Sequence, residues 1–231
     1  MKTIYLWVKN EGWKSFDFNA EETKLALKER NIQIGDSAEI GNFAKIGDFA
    51  KIGDSAKIRN SAEIGYFAEI GYFAKIGYFA KIGDSAKIGD SAEIGYSAEI
   101  GNSAEIGDSA KIGDSAKIGN FAKIGDSAKI GYFAKIGYFA KIGDSAKIGN
   151  SAEIGDKEII LKTLFITGTK HTVTWYGKDY INIGCYKKTI KQWLKIGLSL
   201  AKNEGYLDEQ IEEYRQYVLI CEQLQKTIDN K

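Results

Sequence analysis

His171 and Cys185 bear most directly on chemistry, because a thiolate paired with a histidine makes a nucleophile, and His171 is the only histidine in the chain. They lie in His171-Thr172-Val173-Thr174-Trp175-Tyr176 and Ile181-Asn182-Ile183-Gly184-Cys185, which read as two strands of a hairpin. A tight turn pairing Gly177 with Tyr180 puts Cys185 opposite Thr172, on the other face from His171; a one-residue bulge would bring them together. The plainer reading is a buried cysteine and a polar hairpin histidine. Trp175, Tyr176, Lys187 and Lys188 equally compose a recognition surface on the same hairpin. No catalytic residue is therefore assigned; if there is one, it is His171 with Cys185. Cys185 and Cys221 match neither a zinc-ligand spacing nor a disulfide framework. No metal and no cofactor is expected, and reduced thiols fit a cytoplasmic protein.

The elements that must position these residues follow a long repeat. Isoleucine recurs every six residues from Ile34 to Ile154, 21 positions without a slip, in the unit Ile-Gly-(Asp/Asn/Tyr)-(Ser/Phe)-Ala-(Lys/Glu). Only Arg59 breaks the glycine phase. Six does not fit a 3.6-residue helix, and a glycine in every turn would cost about 1 kcal/mol each time. A period of six fits a short strand and a corner. Three units make an 18-residue triangular coil and 21 units make seven coils, roughly 34 Å tall at the spacing of hydrogen-bonded strands. Ile and Ala face the axis, and glycine supplies the positive φ or the close approach that a corner needs.

Unit after unit, as in Ile106-Gly107-Asp108-Ser109-Ala110-Lys111, the chain resembles the hexapeptide-repeat superfamily. The resemblance covers a little over half of it. It implies a left-handed parallel β-helix, a homotrimer and, in many members, acyl transfer using a histidine in or beside the coils. Here residues 31 to 156 hold no His, Cys, Trp or Thr. The general base that acyl transfer needs is missing from the coils, as are the three histidines of the family's carbonic anhydrases and the threonine ladders of ice-binding β-helices.

The fold class expected is mainly β: a left-handed parallel β-helix of about seven 18-residue coils, an N-terminal strand and helix cap, and a C-terminal α+β module ending in two helices. The divisions are 1–33, 34–159 and 160–231. In the cap, Lys2 to Lys9 reads as a strand, Asn19 as a helix N-cap with Glu22 in the capping-box position, and Leu25 and Leu27 face the first coil. In the module, Leu161 to Thr167, His171 to Tyr176 and Tyr180 to Gly184 read as strands. Thr189 to Asn203 reads as a helix, and Asp208 caps a last helix to about Ile228. The stripe Ile211, Tyr214, Val218, Cys221, Leu224 and Ile228 either packs on Ile190, Trp193, Leu194 and Leu200 or forms a trimeric coiled coil.

Residues 18 apart stack in columns. The first corner column, from Asp36 to Asp144, carries two aromatics, Tyr72 and Phe73. The second, from Asn42 to Asn150, and the third, from Asp48 to Asp156, carry six each. Such long aromatic rows are unusual on a monomer's surface, so trimer contacts are expected on the second and third columns. The alternative is rings stacking along their own columns. Tyr66, Tyr72, Tyr78, Tyr132 and Tyr138 are candidates for binding a small ligand, a nucleotide or sugar, at subunit clefts.

Charge adds little: 32 Lys plus Arg stand against 31 Asp plus Glu, which gives no strong nucleic-acid signal. No apolar run is long enough to span a membrane, and no secretion signal is read at the N-terminus. Lysine outnumbers arginine 29 to 3 and proline is absent, a bias of low-GC bacteria or their phage. The function expected is a non-catalytic trimeric scaffold or binding protein presenting a C-terminal interaction module. Small-ligand sequestration is one alternative, and a hexapeptide-type acyltransferase with its base from that module is another.

Overall fold

The structure, a computed structural model, describes residues 2–160 and 162–229. It divides into two compact units, Met1–Ile159 and Ile160–Lys231.

The first unit is a β-solenoid of about seven turns. Each hexapeptide contributes a two-residue strand, one Lys or Glu outward and one Ile inward, as in Lys111–Ile112. Every third strand stacks in parallel and in register: Glu93 pairs with Lys111 and Ile94 with Ile112. Three parallel sheets result. The isoleucines from Ile40 to Ile148 are at most 3% exposed, and the alanines from Ala44 to Ala140 are fully buried. Each buried isoleucine contributes about 2 kcal/mol of transfer free energy.

The corners assign the two roles that the sequence reading left jointly to glycine. The positive φ belongs to the Ser/Phe position, which lies between 52° and 63° at every corner from Ser37 to Ser151. Glycine serves close approach alone. A Cβ on Gly107 would sit 2.3 Å from Asp126 Oδ1 and 2.6 Å from the Asp126 nitrogen in the next coil. The left-handed residue turns its N–H back to the preceding coil, as Ser127 N–H does to Asp108 C=O at 2.8 Å. That bond offsets a conformation costing an L-residue about 1–2 kcal/mol. The corner Asp or Asn completes the ladder. Its Oδ1 accepts the N–H of the corner residue one coil earlier, as Asp108 does from Asp90 at 2.8 Å and Asn120 from Asn102 at 2.9 Å.

At the N-terminal end, β1 (Thr3–Val8) and β2 (Gly12–Asp17) form an antiparallel hairpin. Strand β1 adds in parallel to the Ala44–Ile46 strand and buries Ile4 and Leu6 completely. Helix α1 (Glu21–Glu29) departs from the sequence reading. Its N-cap is Ala20, with no side-chain cap bond, not Asn19. The turn is held from Asp17 instead: its Oδ1 accepts Asn19 N–H and its carbonyl accepts the Thr23 hydroxyl. That fixes the helix rotation, so Thr23 and Ala26 are buried while Leu25 is 63% exposed.

The second unit is a four-stranded antiparallel sheet, Leu164–Thr167, Thr172–Trp175, Tyr180–Ile183 and Tyr186–Thr189, followed by α2 (Ile190–Asn203) and α3 (Asp208–Asp229). Leu161, read as the start of a strand, lies outside the described residues. The strand Tyr186–Thr189 was not foreseen. Thr189 caps α2 through a capping box with Gln192. Asp208 is already the first helical residue of α3 rather than its cap. The α3 stripe is not left free for a coiled coil: Tyr214, Val218 and Cys221 are buried with Val173, Trp175, Ile181 and Trp193, and Leu224 and Ile228 pack against them. Trp175, read as part of a recognition surface, is 3% exposed in this core and donates its indole N–H to Gln225.

Candidate functional site

The two residues that could do chemistry come together in the second unit. The connection 176–179 is longer than a tight turn, and the strands pair Val173 with Ile183 and Trp175 with Ile181. This is one residue off the register that a Gly177–Tyr180 turn would set. The Gly184 N–H reaches Thr172 C=O, and the same register brings Cys185 level with His171. Gly184 permits this in two ways. Its φ is +57°, and a Cβ there would stand 3.2 Å from the imidazole carbons of His171.

His171 and Cys185 line one cavity of about 590 Å³. Its floor and walls are apolar, from Ile183, Trp193, Leu194, Leu198, Ile211 and Val218. The backbone of His171 is fixed by Tyr214, whose hydroxyl accepts the His171 N–H and donates to the His171 carbonyl at 2.6 Å. The imidazole lies 5.8 Å from the ring of Tyr206. Tyr186 donates its hydroxyl to Glu204 at 2.7 Å, which pushes the Tyr186 phenol pKa up. Burial, with Tyr214, Glu204, Cys185 and Glu213 nearby, pushes the Tyr206 phenol up to about 12. Cys185 therefore sits among a carboxylate and neutral phenols, and no hydrogen bond joins its thiol to His171 among the described residues. Cys221, on the core side, is fully buried and its thiol is raised to about 12 by that burial.

Sequence reasoning missed Tyr206 and Tyr214 as partners of His171, and the Tyr186–Glu204 pair beside them, because loop register and helix packing bring them in. A signal was present in α2, where Gly197 interrupts a helix carrying a second leucine stripe, Leu194 and Leu198.

The tyrosine candidates of the coils do not converge. Tyr66 and Tyr138 lie along one furrow on a coil face, four coils apart. Tyr72 lies on a second furrow and Tyr132 on a third. Tyr72, Tyr78, Tyr132 and Tyr138 are about half exposed, whereas Tyr66 is partly buried between Asp48 and Asp84; burial first, then those carboxylates, raise its phenol pKa. Column stacking of rings does occur: Phe49 on Phe67 at 4.6 Å and Phe121 on Phe139 at 4.8 Å. Lys187 and Lys188 lie beside the rings of Tyr180 and Tyr186 on the outer strand.

Stacked two-residue strands, left-handed corner residues and an inward Ile/Ala pair define a hexapeptide-repeat solenoid. The bacterial transferase hexapeptide family (six repeats) matches residues 31–66. Residues 31–66 thus carry the hexapeptide repeat of that family, and the same unit continues through the rest of the solenoid. Among solved structures it is similar to LpxA from Acinetobacter baumannii, at 16% identity over 80% of this chain and 70% of that one, with a TM-score of 0.50. It is similar too to LpxA of Bacteroides fragilis, a UDP-N-acetylglucosamine acyltransferase (20% identity, 79% and 77% covered, TM-score 0.42). A third is the acetyltransferase domain of PglB from Neisseria gonorrhoeae (17% identity, TM-score 0.33), where the match covers 52% of this chain and about half, 51%, of that one. At these identities the likeness concerns the fold. No match was found among curated proteins. No helix among the described residues is long and apolar enough to cross a membrane.

Proposed function

We propose that the coils are a non-catalytic scaffold, assembled as a homotrimer through the second and third corner columns, and that the C-terminal unit is a ligand-binding module. One observation carries this reading: the cavity in the second unit gathers an apolar floor and convergent polar side chains, His171, Tyr186, Glu204 and Tyr206. The coils supply the complement. Their Asp and Asn side chains accept backbone amides of neighbouring coils, and many of their Glu and Lys side chains pair along the faces, as Glu93 does with Lys75 and Lys111. Open-corner carboxylates are poor general bases near neutral pH. Nearly identical coils suit a spacer, since length changes by whole coils without new chemistry. The same reading keeps the protein cytoplasmic, with both thiols reduced.

The second reading, acyl transfer with its base from the C-terminal unit, draws on His171 and Cys185 lining one cavity. Turnover and thermal shift with acyl-coenzyme A, nucleotide sugars and free nucleotides separate the readings. The expected result is no turnover. Turnover abolished in His171→Ala would establish the enzyme instead. A ligand shift lost only in Tyr132→Ala plus Tyr138→Ala would move binding to the coil faces.

A further inference from the structure

Helix α2 carries two apolar stripes. Ile190 and Trp193 turn into the core. Leu194, Leu198 and Ala201, spaced i, i+4 and i+7, form a second stripe along the cavity, and Leu194 and Leu198 are 43% and 58% exposed. The cavity's 590 Å³ falls within the range of small-molecule sites, about 300–1,000 Å³. Gly197 stands on this wall in the middle of the helix, where glycine costs about 1 kcal/mol relative to alanine. Its φ is not positive, and a Cβ there would meet only Trp193 Cε3 at 3.4 Å, an ordinary contact. Neither backbone conformation nor packing calls for glycine at this position. What it preserves is space.

The polar groups lie together at Cys185, Tyr186, Glu204 and Tyr206, where α2 ends at its C-cap Glu204. A helix C-terminus disfavours anions and favours cations and donors, and the Glu204 carboxylate adds to that field. Nearby cations are already engaged. Lys170 Nζ donates to the carbonyls of Glu204 and Gly205 and lies 4.4 Å from the Tyr206 ring centre. Arg215 pairs with Glu212 at 3.3 Å, and Lys188 Nζ lies 5.9 Å from the Tyr186 ring centre.

We propose that this cavity binds a small amphiphile whose apolar body lies along Leu194, Gly197 and Leu198 and whose head is a hydrogen-bond donor, an amine or alcohol, rather than a carboxylate or phosphate. The proposal rests on reading the C-terminal unit as a binding module and names what that module takes. An anionic head at this end would meet Glu204, the phenol oxygens and the C-terminal carbonyls of α2, while Arg215 on the cavity wall is paired with Glu212. An ammonium or hydroxyl finds acceptors there and aromatic faces beside it.

The test uses the full chain with decylamine, decanol and decanoate, below their aggregation concentrations, in calorimetry and thermal shift. Decylamine and decanol bind, and decylamine binds about tenfold or more tightly than decanoate, a difference of about 1.4 kcal/mol. Gly197→Leu fills the cavity and abolishes binding. Gly197→Ala, a substitution the helix itself favours, raises Tm without ligand and weakens binding. Glu204→Gln narrows the gap between decylamine and decanoate. Decanoate binding as tightly as decylamine overturns the head-group assignment while leaving the module a ligand site. Binding unchanged in both Gly197 variants, or no binding of any of the three, overturns the cavity assignment. Failure of the wider reading has a separate signature: ligand shifts that follow the coil tyrosines, or turnover that depends on His171.

Discussion

At the residue scale, burial sorts two otherwise identical thiols. Cys221 is fully buried with its thiol raised to about 12, and Cys185 is exposed at the cavity. Iodoacetamide should therefore modify one thiol per native chain and two in denaturant, read by intact mass; two in the native state would contradict the packing of α3. Glu93 shows how face charges behave. Hydrogen bonds from Lys75 and Lys111 hold its carboxyl below the usual range. A depressed folded-state pKa means that the contribution to stability is present above the unfolded value, about 4.3, and is lost as pH falls through the folded one. Parent protein should melt slightly above Glu93→Gln at pH 7, and the two should converge near pH 3. A gap that persists in acid would mean that Glu93 acts through packing rather than charge.

At the element scale, the hexapeptide corner divides its labour between two residues. The Ser/Phe position takes the left-handed conformation and glycine takes the close approach. Gly107→Ala should lower stability by several kcal/mol, since a Cβ 2.3 Å from Asp126 Oδ1 forces the coils apart. Arg59 is the internal control, because it occupies the glycine phase naturally. Its N–H reaches Ile76 C=O at 3.0 Å, where the corresponding glycine amides lie at 2.7–2.8 Å. Arg59→Gly should therefore match or exceed the parent's Tm, and a drop would show that the side chain has a compensating contact. Along the axis, Ile94 is 3% exposed. Ile94→Asp places an unpaired charge among isoleucines and should cost several kcal/mol, read by denaturant melts; an unchanged midpoint would reverse the inward assignment.

At the scale of the whole molecule, the proposed trimer rests on the aromatic rows. Phe43, Phe79 and Phe133 of the second column and Phe67, Phe121 and Phe139 of the third are each about half exposed. Phe67, Phe121 and Phe139 stay about half exposed even though each stacks on a ring of its own column. Light scattering at micromolar concentration should give three times the 25.5 kDa chain mass. Paired replacements, Phe79→Ser with Phe133→Ser, should shift the population toward monomer while each chain keeps its β-sheet circular dichroism. A monomeric parent would leave the rows to column stacking alone.

The coils were legible in the sequence because their determinants are local and periodic. An inward isoleucine, an inward alanine and a corner every six residues leave one register in which every apolar side chain is buried, and 21 repetitions make that pattern hard to mistake. The direction of α1 was not legible, since the Asp17 carbonyl and carboxylate, not a cap at Asn19, fix its rotation. The candidate site was legible only as a pair of residue types. His171 and Cys185 stood out, but a shift of one residue in strand pairing decides whether they share a side, and that shift is set by the length of the 176–179 connection. Tyr206 and Tyr214 lie more than 30 residues beyond His171, and Glu204 lies 18 beyond Tyr186; they reach these partners only when α2 and α3 pack on the sheet. Residue types and spacing determined the repeat and its inward face. Tertiary packing alone decided the cavity, because a cavity is where two stripes of one helix face different neighbours, and no local pattern records which neighbour is missing.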